Sequence, residues 1–150
     1  MSAAISPAGR GRRFAATLTD ALLVPAFAIL LMLVTGVLEH AQDWGPGGKP
    51  IVRILLLGIA SYALLNLWLL WRRGQTVGKA LFGIAIVNAK TGARAAFWRL
   101  FLRGLFFPTL YLIVLPPYAA LFPLIDQALI FRKDRRCVHD WVSGTAVVRV

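Results

Sequence analysis

A single cysteine, Cys137, serves the whole chain of 150 residues, which excludes an intrachain disulfide and any multi-cysteine metal cluster. Acids are nearly as scarce: six Asp and Glu stand against 17 Lys and Arg, a formal charge of +11. With only His40 and His139 besides, no Ser-His-acid triad and no metal-ligand set can be assembled from spacing, so neither an enzyme nor a metal or other cofactor is expected. Nucleic acid is not the expected target of this excess of charge, because the basic residues are separated by apolar runs instead of being gathered on one face.

Those apolar runs are what the sequence has in place of charge. Apolar residues make up 59% of the chain and the mean hydropathy is +0.71, well above the roughly 45–50% of soluble domains. An all-α membrane protein of one domain, residues 1–150, is expected. Residues 14–38 carry one charge, Asp20, and exceed the ~20 residues that a helix needs to cross the hydrocarbon core. Twelve Leu, Ile, Val or Phe side chains between Leu18 and Leu38, at about −0.3 to −0.6 kcal/mol each, outweigh one Asp at about +2.5 to +3.5. Residues 51–71 form the second expected helix, with Asn66 one turn from Tyr62 on a face that should meet protein, since lipid offers no partners.

Between 72 and 103 lie Arg72, Arg73, Lys79, Lys90, Arg94, Arg99 and Arg103 and no acid. The positive-inside rule therefore puts this loop, and the Arg-rich N-terminus, in the cytoplasm. Residues 84–87 read as a strand that pairs with 145–150, and FWRLFLRG reads as an interfacial helix with Arg99 and Arg103 on one face. Pro108, Pro116, Pro117 and Pro123 break the next apolar stretch, read as a hydrophobic hairpin over about 95–131 that returns the basic tail to the cytoplasm. Both termini are then cytoplasmic. The stretch GQTVGK resembles a phosphate loop, but its glycine-to-lysine spacing is one residue short and Ala80 follows Lys79, which argues against a nucleotide.

Arg13, Thr17 and Asp20 share one helix face. An intramembrane acid is a candidate for carrying an ion or proton. The alternative is a packing ion pair with Arg13, or with Arg99 or Arg103, that fixes how helices dock. His139 reads as a surface or loop-packing residue.

Three separated stretches, RRFAATLTDALLV, GQTVGKALFGIAIVNAKTG with LFLRG after it, and FRKDRRCVHDWVSGTAVV, together resemble the RDD family of bacterial membrane proteins. Arg13 and Asp20 match the family's first arginine and helix aspartate, and Asp140, chosen over Asp126, its second aspartate. Gly74, Thr76, Gly78 and Lys79 match a glycine-threonine-glycine-lysine element, and Arg103 a leucine-arginine element. The resemblance implies a multi-pass protein of the bacterial inner membrane, with transport of unidentified ligands. The expected site is Arg13, Asp20, Arg103 and Asp140, supported by Thr17, Asn66, Thr76, Lys79 and Arg99. Expected partners are the bilayer, anionic lipid head groups drawn to the basic loop, and a second copy or another membrane protein. The rival reading is a structural or accessory membrane protein.

Overall fold

A computed structural model describes residues 6–39, 49–104, 121–132 and 136–150. Two helices of 25 residues dominate it, α1 (Arg10–Val34) and α2 (Lys49–Arg73), each about 37 Å long at 1.5 Å per residue. That exceeds the ~30 Å of a hydrocarbon core. Both present wide apolar faces: Leu18, Leu22, Ile29 and Leu33 on α1, and Leu56, Ile59, Leu64 and Leu67 on α2, are exposed. Such faces suit lipid, not water. Two hydroxyls within these helices are satisfied by their own backbones, Thr19 donating to Ala15 O (2.9 Å) and Ser61 to Leu57 O (2.6 Å).

The helix ends differ from the expected 14–38 and 51–71. Helix α1 starts four residues earlier, which brings Arg13 into it, and stops at Thr35 because Gly36 takes a left-handed φ of 66°. Val37 N–H reaches back to Met32 O (3.0 Å) and Gly36 N–H to Leu33 O (3.2 Å), closing the helix with a Schellman motif. Helix α2 ends likewise at Gly74, φ 63°, whose N–H bonds Leu70 O (3.0 Å).

From Gly74 the chain makes α3 (Val77–Leu81) and then β1 (Ile84–Asn88). Residues 97–104 are helical (α4), followed by α5 (Leu121–Ala128), a 3-10 turn over Leu129–Phe131, α6 (Val138–Val142) and β2 (Thr145–Arg149). Strands β1 and β2 pair antiparallel, Ile84 opposite Arg149 and Asn88 opposite Thr145, as the two apolar segments suggested. Residues 40–48 and the apex of the expected 95–131 hairpin, with Pro116 and Pro117, lie outside the described residues.

Two strands alone are marginal in water. This pair is held by burial: Ile84, Ile86 and Val147 join Ala8, Ala16, Leu70, Ala95 and Leu100 in one core, which sits at the end of α1 and α2 that carries the sheet. The N-terminal segment adds to the edge of β2, with Ala8 N–H on Val147 O (3.0 Å).

Gly74 joins the long helix to the sheet. Its carbonyl accepts from Ile86 N–H (2.8 Å), and a Cβ built on it would stand 2.7 Å from Ile86 O at a φ that side chains avoid. Gly74→Ala is therefore expected to cost about 1–3 kcal/mol. Gly58→Ala, in open space within α2, should instead be neutral or stabilising by up to about 1 kcal/mol. Thermal melting of the detergent-purified protein checks both, and equal midpoints for the two variants would contradict the assignment.

Candidate functional site

Asp20 lies on α1, and its carboxylate meets the start of α3. Oδ2 accepts from the Thr76 hydroxyl (2.5 Å) and Oδ1 from Gly78 N–H (2.8 Å), while Lys79 Nζ stands 3.5 Å from Oδ2. A helix leaves its first N–H groups without partners. Here three different residues supply them: Asn66 Oδ1 accepts from Val77 N–H (2.9 Å), Asp20 from Gly78, and the N-cap Thr76 from Lys79 (3.4 Å). Asn66 is itself tied to Tyr62 O (3.1 Å). The approach is close enough that a Cβ on Gly78 would overlap Ala16 O and stand 2.8 Å from Asp20 Oδ1. Only glycine lets α3 reach α1 here.

The second cluster centres on Asp140, which is fully buried on α6. Arg13 Nη2 donates to Oδ2 (2.6 Å), Arg103 Nη1 to Oδ1, and Cys137 N–H to Oδ2 (3.1 Å). Arg103 also reaches Thr145 Oγ1 (3.1 Å), so α1, α4, α6 and β2 meet at one carboxylate. Burial alone would raise the pKa of Asp140, but Arg103 and Arg13 outweigh it and hold the acid well below the usual carboxylate range. Arg99 points elsewhere and donates to Ser143 O and Gly144 O (both 3.1 Å), capping the end of α6.

The expected pairing of Arg13 with Asp20 is thus corrected. Seven residues along a helix separate their backbones by about 10 Å, and nearer partners arrive from distant segments, Asp140 for Arg13 and Thr76, Gly78 and Lys79 for Asp20. Arg99 and Arg103 are not partners of Asp20 either.

Between the two clusters lies a cavity of about 210 Å³. Arg13, Thr17, Asp20, Thr76, Lys79 and Arg103 line it from the expected set, facing Leu70, Ile84 and Leu100. Asn66, Arg99 and Asp140 are not among its lining residues. Tyr62, Cys137 and His139 also line it and were not among the expected site residues. His139 is buried, with Nδ1 2.5 Å from Asp126 Oδ2 and its N–H on Asp126 Oδ1 (3.3 Å). Burial and Arg103 lower its pKa against the pull of Asp126 and Asp140, which favours the neutral ring. Burial, with Asp140 and Asp126 adding to it, pushes the Cys137 thiol up to about 12.

The sequence profile of the RDD family matches residues 7–144. The chain belongs to the RDD family. No curated protein and no solved structure matches it. Membership and the two long apolar helices together point to a membrane protein. In this RDD chain the glycine-threonine-glycine-lysine element has a clear local role: Gly74 turns the chain out of α2, and Thr76, Gly78 and Lys79 all bond Asp20.

Lys79, which lines the cavity, has a proton within easy reach of neutral pH. Burial and Arg103 lower its pKa to about 8, while Asp20 and Asp140 oppose the fall. Loss of the Asp20 charge removes an opposing influence, so the value should drop further. Acylation of Lys79 by an amine reagent, followed peptide by peptide by mass spectrometry, should rise with pH around a midpoint of about 8. In Asp20→Asn that midpoint should move down, whereas a midpoint that stays in place or moves up would contradict the electrostatics.

Proposed function

We propose that this protein exchanges protons for a small cation across the bacterial inner membrane, with Asp20 as the cation-binding carboxylate and Lys79 as the group that yields the proton. The observation that carries the reading is the cavity of about 210 Å³ onto which both open. A cation entering it meets Asp20 beside the hydroxyls of Thr17 and Thr76, and the charge it brings neutralises the carboxylate that favours a protonated Lys79. Burial and Arg103 then drive the lysine proton off. When the cation leaves, the proton returns, so the two ions compete for one site and neither accumulates uncompensated charge there.

The excess of Lys and Arg at residues 10–13 and 72–103 supports a cytoplasmic placing of this end and of both termini. Arg72 over Trp68 (5.8 Å), Arg99 over Trp98 (4.8 Å) and Arg132 over Trp141 (5.3 Å) are pairs suited to a membrane interface. The two long apolar helices among the described residues are few for a pathway, which favours a homo-oligomer. A second reading draws on the bonds that Asp20 accepts at the start of α3: the carboxylate there serves docking alone, and the protein is an accessory that assembles with a membrane partner.

Lys79→Arg separates the two readings. Arginine keeps the positive charge beside Asp20 but does not release its proton. In proteoliposomes carrying a pH-sensitive dye, the wild type should move protons against a gradient of monovalent cation. Lys79→Arg should retain the melting temperature and lose at least about tenfold of that flux, a barrier of about 1.4 kcal/mol. Wild-type liposomes without flux would favour the accessory reading, and undiminished flux in Lys79→Arg would overturn the role given to Lys79.

A further inference from the structure

Beside the cavity, three side chains of different donor chemistry converge on one point. Asp126, Cys137 and His139 are all buried, and one ligand atom from each lies within 4.8 Å of the others. They come from two separate elements, α5 and the start of α6, so no short motif announces them. We propose that these residues bind a divalent transition ion of the zinc class, with its open coordination position facing the cavity.

The donor set selects the class of ion. A thiolate, an imidazole nitrogen and a carboxylate oxygen suit a borderline ion, whereas magnesium and calcium require oxygen throughout. The distances suit it as well, with one adjustment. His139 Nδ1 and Asp126 Oδ2 stand 2.5 Å apart across a shared proton, whereas two ligands on one tetrahedral ion at about 2.0–2.1 Å stand about 3.3 Å apart. The ion therefore takes the place of that proton, and the two groups part by under 1 Å or so.

The protons balance. The His139 proton moves from Nδ1 to Nε2, which already faces Asp140 Oδ1 at 3.8 Å and can close onto it. A carboxylate behind a ligating histidine is the usual outer support of such sites, since it fixes the ring's tautomer and orientation. The thiol of Cys137 releases one proton to solvent. Arg13 Nη2, 3.7 Å from the sulfur, stabilises the thiolate left behind. Asp126 and that thiolate then carry two negative charges against the two of the ion. Cys137 and His139 both line the cavity, so a water or a small anion there would complete the tetrahedron.

Because Cys137 is the only cysteine in the chain, a single spectrum reports the bond. The full-length protein, purified in detergent without a tag and stripped with a chelator, is titrated with Co²⁺ in place of Zn²⁺. The expected result is saturation at one equivalent with a near-ultraviolet sulfur-to-cobalt charge-transfer band, which Zn²⁺ then abolishes. Cys137→Ser should lose the band, and Asp126→Asn should weaken binding by about tenfold or more. Asp20→Asn should leave the titration unchanged, which keeps this site distinct from the exchange of ions at Asp20. A wild-type protein without the band overturns the proposal, and so does a band that survives Cys137→Ser.

Discussion

The structure depends on one carboxylate placed where lipid would punish it. Asp20 lies within an otherwise uncharged apolar stretch, and it is tolerated because α3 brings a hydroxyl, a backbone N–H and an ammonium to it. The debt is mutual. Helix α3 has five residues, too few to stand alone, and its first N–H groups need acceptors that the helix's own backbone cannot supply. Asp20 and Asn66 provide them from the two long helices, so the same bonds that excuse an acid in an apolar helix also set where α3 and the strand after it must lie.

Asp140 does the corresponding work for the C-terminal segment. One buried acid between two arginines gathers α1, α4 and α6. Such arrangements seldom add net stability over an apolar core, because desolvation consumes most of the attraction. Their value is specificity: an arginine left without its acid in this setting costs several kcal/mol, so competing dockings of the helices are strongly disfavoured. The two clusters face each other across the cavity, and the Arg103 that grips Asp140 also lowers the pKa of Lys79. The charge that orders one half of the site thereby tunes the other.

The long helices, the strand pair and the membrane class were legible in composition and apolar run length, since insertion and strand pairing follow from local pattern. Asp20 stood out for the same reason. Its partners did not, because local reasoning finds neighbours on the same helix face, and Arg13 was the one in view. The true contacts lie 56 residues away for Thr76 and 127 away for Arg13 with Asp140. Asn66 looked merely sheltered from lipid, though it caps α3. His139 read as a surface or loop residue because nothing in the sequence shows that Asp126, before the basic stretch, returns to grip its ring.

The central claim is that Asp20 is bonded to α3 and not to Arg13. Double-mutant cycles of unfolding free energy measure this directly, since coupling appears only between groups in contact or in one network. Asp20→Asn combined with Thr76→Val should show a coupling of about 1 kcal/mol or more, and Asp20→Asn with Arg13→Gln should be additive within about 0.5 kcal/mol. Strong coupling between Asp20 and Arg13, with none to Thr76, would contradict the account.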